Sequence, residues 1–259
     1  MPELPEVEVM RREIESHVLN AHLHKVEAVD ERLVSKLPVN WQTLLEGNIF
    51  ASTKRTGKYL FMNFNKTWLH LHFGMTGSVS FVSIGQDPPP YTRLKLSFDN
   101  GLMMCFTDPR TFGKMDIVNR VEAFVANKRL GIDLLDASDE DAMQMFADRK
   151  ISLKAILLRQ KDVAGIGNWL ADEALFRQKL NPSMRGMDLK PSEAVSLLNE
   201  TKKIAKEAIH ADTHYGDFPK HFFVNYRVED GVCPCTKDTI QKVTLAGRST
   251  YYCPTCQSA

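Results

Sequence analysis

The strongest constraint on the fold is a change of hydrophobic period near residue 120. Before it, apolar and polar residues alternate. Leu69, Leu71 and Phe73 stand against His70 and His72, and Leu94-Lys95-Leu96-Ser97-Phe98 runs through Asp99-Asn100-Gly101 into Leu102-Met103-Met104-Cys105-Phe106. A period of two marks strands with one buried face, and Asn-Gly between two such runs predicts a tight hairpin. Gly74 and Gly77 bracket a turn, and Pro88-Pro89-Pro90 marks a loop. From about Glu122 the period becomes helical. Ile151, Ala155, Leu157 and Leu158 form one stripe and Leu170, Ala174 and Leu175 another. A third runs through Val195, Leu198, Ile204, Ala205, Ala208 and Ile209, with Ser192 after Pro191 as a helix cap. Strands followed by helices, rather than alternating with them, predict segregated domains. The first is expected to be a β-sandwich carrying an N-terminal helix, whose apolar stripe is Val7, Met10, Ile14 and Val18.

With 259 residues and 43% hydrophobic content, the chain can bury a substantial core in one or two domains plus a small module. No run of about 18 apolar residues occurs, which excludes a helical membrane span, and no basic-then-apolar leader opens the chain. An intracellular, cytoplasmic location is therefore expected, with no membrane partner. Net charge is only +1, yet the cations cluster. Lys54, Arg55 and Lys58 have no acid among them, and Arg149, Lys150, Lys154, Arg159 and Lys161 cluster with Asp162 the one acid inside that window. Such stripes either face phosphate, with the balancing acids elsewhere, or form a solvated face.

Of the cysteines, Cys105 lies in an apolar strand, whereas Cys233, Cys235, Cys253 and Cys256 crowd the C-terminus. The segment from about His221 is too short and turn-rich to fold around apolar contacts alone, so a metal is its natural support. Without a secretory leader, the cluster favours zinc over disulfides. Cys253-Pro254-Thr255-Cys256 is a regular C-x-x-C pair, while Cys233-Pro234-Cys235 is C-x-C. Four thiolates suffice for one tetrahedral structural Zn2+. The alternatives are a strained first knuckle and a three-cysteine site.

The chain opens Met1-Pro2-Glu3-Leu4-Pro5-Glu6-Val7-Glu8. Proline and acidic residues suit the first turn of any helix. Removal of Met1 would do more, placing a secondary amine at the terminus beside two carboxylates. A terminal amine has a pKa of about 7.7–8.0, so part of it is neutral and nucleophilic near pH 7. Condensed with an aldehyde-level carbon, a proline nitrogen gives a cationic iminium, an electron sink for elimination. Glu3 beside it can serve as general acid or base.

The string PELPEVE at a terminus resembles the start of the formamidopyrimidine-DNA glycosylase and endonuclease VIII family, and further matches follow in the family's order to the last residues. The resemblance implies an α+β multidomain fold. Residues 1–120 would form the catalytic β-sandwich domain, 121–220 a helix-two-turns-helix DNA-binding domain, and 221–259 a β-hairpin zinc finger. It makes Pro2 the nucleophile, with Glu3 and Lys58 as catalytic partners; Lys58, in Arg55-Thr56-Gly57-Lys58-Tyr59-Leu60, matches the family's strand lysine and would contact the phosphate beside the lesion. An enzyme acting on a base inside a duplex must extrude it and fill the gap. By resemblance Met75, Arg110 and Phe112, in His72-Phe73-Gly74-Met75-Thr76-Gly77 and Asp108-Pro109-Arg110-Thr111-Phe112-Gly113, are those wedges.

The stretch from Val163 to Glu173 is similar to the family's helix-two-turns-helix motif, in which Asn168 grips a phosphate; Glu173 matches a supporting position. Gly247-Arg248-Ser249-Thr250-Tyr251-Tyr252 resembles the finger hairpin whose arginine, Arg248, clasps a phosphate through its fork. Thr236 stands where the family has its second cysteine, so Cys235 is displaced by one residue. The implied activity is a bifunctional glycosylase and AP lyase acting by β/δ-elimination on double-stranded DNA with oxidised bases or abasic sites. The implied enzyme is a monomer, nucleoid-associated if bacterial. The competing reading is a non-catalytic damage sensor of the same fold. His70 and His72 are read as structural. Two departures leave oxidised purines, formamidopyrimidines and oxidised pyrimidines all open as substrates. Thr111 replaces a common second arginine, and Ala211–Pro219 differs from the loop that covers oxidised guanine.

Overall fold

The computed structural model describes residues 1–214 and 217–258; of the Ala211–Pro219 loop, Tyr215 and Gly216 lie outside the described residues. Contacts divide the chain into two units. Met1, Pro2 and residues 6–129 form the first, and Glu3–Pro5 join the residues from Leu130 onward in the second.

The first unit holds α1 (Leu4–Val18) from Glu6 onward, β1 (Leu23–Ala28), α2 (Glu31–Val34), β2 (Phe50–Thr56), β3 (Tyr59–Phe64) and β4 (Thr67–His72). β5 (Ser78–Ser83), β6 (Thr92–Phe98), β7 (Leu102–Thr107), β8 (Lys114–Val118) and α3 (Val121–Lys128) complete it. Two antiparallel four-stranded sheets result, ordered β1-β6-β7-β5 and β2-β3-β4-β8. The expected Asn-Gly hairpin joins β6 to β7. Both sheets and α1 contribute to one core, to which α1 brings the anticipated stripe Val7, Met10, Ile14 and Val18. β6 shows strict alternation, with Thr92, Leu94, Leu96 and Phe98 buried. The sandwich with its helix is therefore present, as the period-two pattern requires.

β3 and β4 depart from simple alternation, because α3 covers their outer face. Phe61 packs there with Val118, Val121 and Phe124. His70, only 3% exposed, lies among Tyr59, Phe61 and Phe124 at ring-centroid distances of 5.4, 5.2 and 4.5 Å. Burial, with smaller effects of His72 and Lys128, pushes the His70 imidazole down to about 3. His72 falls to about 4 through burial and the nearby cations Lys58, Lys114 and Lys128. Both histidines are neutral at pH 7.

The second unit contains β9 (Ile132–Asp133), α4 (Asp139–Phe146), α5 (Leu153–Leu157), β10 (Val163–Ala164), α6 (Asn168–Arg177), α7 (Pro191–His210), β11 (Gln241–Leu245) and β12 (Arg248–Tyr252). Its helices pack around Phe146, Ile156, Trp169, Leu170, Leu197 and Ile204, and Leu4 belongs to the same core. α7 is capped differently from expectation. Its N-cap is Lys190, not Ser192, because Pro191 takes the first helical position, where its missing N–H is no loss. Glu193 then accepts from the Lys190 N–H at 2.9 Å. The finger hairpin β11–β12 turns at Ala246-Gly247, both at positive φ, over a small core of Phe223, Cys233, Ile240 and Cys253. Among the described residues no helix is long and apolar enough to cross a membrane.

One ionic cluster ties α1 to β2. Glu8 is bound by Arg11 at 2.9 Å and by Arg12 and Arg55 at 3.0 Å. Burial alone would raise its carboxyl pKa, but the three guanidinium groups outweigh this and hold it at about 2. The stabilisation is therefore complete above the ordinary value of 4.5 and is lost as pH falls towards 2. Glu8→Gln is expected to lower unfolding stability by about 2 kcal/mol at pH 7 and by almost nothing near pH 2. Denaturant titrations across that range check this, and parallel acid limbs for the two proteins would refute it.

Candidate functional site

The N-terminal residues are deeply placed. Pro2 is buried, and Glu3 is 1% exposed. The Glu3 carboxylate accepts hydrogen bonds from the backbone N–H of Trp169 at 2.9 Å and of Leu170 at 3.2 Å. These are two of the four orphan donors at the start of α6, so a side chain remote in sequence performs the N-cap's task at the positive end of the helix dipole. The contact explains the glycine before the helix. A Cβ on Gly167 would fall 2.1 Å from the Glu3 carboxyl carbon, so any side chain there displaces the carboxylate. The family resemblance assigned Asn168, the first residue of this helix, to an external phosphate and gave no sign that the chain supplies an anion of its own here.

Asn168 opens α6, and its Nδ2 donates to the Ser249 carbonyl at 3.0 Å. Its Oδ1 is buried without a hydrogen-bond partner among the described residues. Arg248, beside Ser249 at the β11–β12 turn, is exposed. The second unit thus brings together Glu3, Asn168 and the hairpin bearing Arg248.

Beneath them lies a buried ionic hub that sequence reasoning missed. Lys154 and Asp172 are fully buried and joined by an ion pair, and Lys154 also donates to the Ser249 carbonyl at 3.2 Å. Asp172 further pairs with Arg227 at 2.9 Å and accepts from the Tyr251 N–H at 3.4 Å. Burial pushes the Lys154 pKa down, and Asp172 opposes that shift. The hub therefore orders α5, α6 and β12 around the Ser249 carbonyl that holds Asn168. Glu173, also buried, accepts from Arg177 at 2.9 Å and from the Val224 N–H at 3.0 Å. Of the cations in the basic run from Arg149 to Lys161, Lys154 alone lies within α5, where it is buried with Leu153, Ile156 and Leu157.

In the first unit, Lys58 occupies the β2–β3 turn and is 8% exposed. Met75 and Phe112 are 39% and 49% exposed, and the Arg110 guanidinium lies 5.0 Å from the centre of the Phe112 ring. One fully buried carboxylate holds both loops. Asp108 accepts from the Thr76 hydroxyl at 2.6 Å, the Arg110 N–H at 3.2 Å and the Gly113 N–H at 2.7 Å. Gly74 adds close backbone contact, since a Cβ there would meet the Phe112 carbonyl carbon at 2.5 Å. The three wedge candidates are thus exposed side chains on a rigid base, and Asp108 is the residue whose role sequence reasoning left unassigned.

The thiols of Cys233, Cys235 and Cys256 lie within 4.8 Å of one another, with Cys233 and Cys256 3.6 Å apart. Sulfurs around a tetrahedral zinc are about 3.8 Å apart, so this set fits the ion. Cys253 interacts with the thiols of both Cys233 and Cys256, and its sulfur lies 3.5 Å from the Thr236 hydroxyl. The displaced Cys235 therefore still reaches the cluster.

Asp172→Ala leaves two cations at a buried site without their carboxylate and is expected to destabilise the protein by about 3–5 kcal/mol. Denaturant unfolding measures this, and a loss below about 1 kcal/mol, typical of an exposed pair, would contradict the hub.

Known proteins share this fold. Family models match in three stretches: the formamidopyrimidine-DNA glycosylase N-terminal domain over residues 1–115, its H2TH domain over 130–218, and the zinc finger found in FPG and IleRS over 238–259. The formamidopyrimidine-DNA glycosylase of Legionella pneumophila (strain Lens) is 31% identical over 99% of this chain and 98% of its own length. The Lactococcus lactis Fpg complexed with DNA containing an abasic site superposes with a TM-score of 0.91 at 25% identity, covering 100% of both chains. A Lactococcus lactis variant bound to Fapy-dG-containing DNA gives 0.89 at 26%, again over 100% of both. The chain belongs to the formamidopyrimidine-DNA glycosylase family.

Proposed function

We propose that the protein is a base-excision-repair glycosylase and AP lyase acting on duplex DNA with oxidised bases, formamidopyrimidines among them, or abasic sites. The observation that carries this reading is the seating of Glu3 on the Trp169 and Leu170 N–H groups. It fixes the residue next to Pro2 against the start of the helix that carries Asn168. The Lactococcus lactis structures, complexes with abasic-site and Fapy-dG DNA, support the substrate class.

In this mechanism Met1 is removed and the neutral Pro2 nitrogen attacks C1′ of the flipped nucleotide. The N–C1′ bond forms as the base leaves with the glycosidic electron pair and takes up a proton. The Glu3 carboxylate takes the proton from the Pro2 nitrogen and delivers it to O4′ as the C1′–O4′ bond breaks, and the lone pair so freed on the proline nitrogen completes the iminium. That cation acidifies the C2′ hydrogen, so its loss expels the 3′ phosphate by β-elimination. A following δ-elimination expels the 5′ phosphate and leaves a one-nucleotide gap.

Met75, Arg110 and Phe112 fill the space vacated by the extruded base. Lys58, Asn168 and Arg248 hold backbone phosphates, giving affinity without sequence reading. One structural zinc is held by Cys233, Cys235, Cys253 and Cys256 and supports the hairpin that presents Arg248. The protein acts as a monomer in the cytoplasm.

Borohydride treatment with an abasic-site duplex is expected to trap a covalent adduct with the wild type and none with Pro2→Gly. Glu3→Gln should lose base excision while keeping salt-sensitive DNA binding. No adduct from the wild type, with DNA binding intact, would favour the non-catalytic sensor.

Metal analysis should give one zinc per chain, and Cys256→Ser should lower both zinc content and duplex affinity. Full duplex affinity in a zinc-free protein would refute the structural role.

A further inference from the structure

The first unit carries a cavity of about 440 Å³ that the proposed repair chemistry does not use. It lies on the outer face of the β2-β3-β4-β8 sheet and is lined from β3, β4, β8, α2 and α3. Its volume falls in the range of about 300–1,000 Å³ typical of small-molecule sites. One part of the wall is aromatic, formed by Tyr59, Phe124 and the His70 ring. Another part carries the cations Lys36, Lys114 and Lys128, with Asp116 the one carboxylate among the lining residues, while Arg32, also at the wall, is paired with Asp30 at 2.6 Å.

His70 is the second, independent observation. It is 97% buried by its 3% exposure, yet neither ring nitrogen has a hydrogen-bond partner among the described residues. A neutral imidazole carries one N–H donor and one acceptor nitrogen, and buried groups of this kind are nearly always satisfied. Burial keeps this ring neutral at pH 7, so it recognises a ligand by hydrogen bonding rather than by charge. A planar heterocycle supplies both the complementary edge and a face for the aromatic wall. The excess of cations at the same cavity calls for phosphate.

We infer that this cavity binds a mononucleotide. Its base stacks against Tyr59 and Phe124 and hydrogen-bonds to His70, and its phosphate is held by Lys114 and Lys128. The bound nucleotide is either free or the 5′-phosphorylated end of a strand, since both present the same chemistry.

Calorimetric titration of the full chain with deoxyguanosine 5′-monophosphate, without any lesion duplex, tests the site. Saturable binding is expected, weakened about tenfold in the Lys114→Ala/Lys128→Ala variant, whose altered side chains are exposed. Deoxyguanosine and inorganic phosphate should each bind at least tenfold more weakly than the nucleotide. His70→Phe keeps an aromatic ring but removes both nitrogens, so it should weaken binding while raising the unfolding midpoint. A purely structural histidine would leave binding unchanged.

No saturable binding by the wild type overturns the proposal, as does binding insensitive to both variants, which would put the nucleotide elsewhere. A 5′-phosphorylated trinucleotide of equal affinity and equal lysine dependence identifies a strand end as the ligand. Binding of the mononucleotide alone identifies the free nucleotide, and either result upholds the site. The trapping experiment with Pro2 reads a different event, so failure of one inference leaves the other standing.

Discussion

The carboxylate of Glu3 serves as the cap of a helix that begins about 165 residues later. The start of α6 needs acceptors for its free N–H groups, and no side chain on the preceding Gly167 can provide one. Glu3 satisfies two of those donors, and the absent Cβ at Gly167 makes room for it. Stability and placement are therefore the same interaction. The bonds that complete the helix also fix the residue adjoining Pro2, and Asn168 takes its position at the same helix start.

Buried carboxylates repeat this logic elsewhere. Asp108 gathers the Thr76 hydroxyl and two backbone N–H groups, so the loops bearing Met75, Arg110 and Phe112 share one anchor while their tips remain exposed. Asp172 does the same with two cations and the Tyr251 amide, joining α5, α6 and β12. A buried charge is unfavourable unless fully partnered, and partnering it demands fixed geometry from every donor. Exposed side chains are rigid only when the backbone beneath them is. Buried acids supply that rigidity at positions where an apolar core cannot satisfy loop N–H groups.

The C-terminal module relies on different means. Its apolar core is small, with Phe223, Ile240 and two of the cysteines at its centre, so gathering the thiols is a folding constraint as much as a binding one. The irregular C-x-C pair does not break the cluster. Cys235 reaches Cys233 and Cys256, and Thr236 lies against Cys253 instead.

Much of this was legible in the sequence. The period-two runs and their Asn-Gly turn determined the sandwich, the helical stripes determined the segregated second unit, and the clustered cysteines pointed to the zinc-finger module. Each of these signals is local, because the spacing of apolar or liganding residues along a short segment restricts what that segment can bury or bind. The roles of Asp108, Asp172, Lys154 and Gly167 were not legible, and the cover that α3 places over His70 was not either. Those depend on partners brought from distant parts of the chain, and a lone acid, lysine or glycine in a sequence carries no mark of which donor will face it. Local periodicity settled which elements form; only the tertiary structure decided which buried charges meet, because that pairing is set by packing between elements and not by spacing within them.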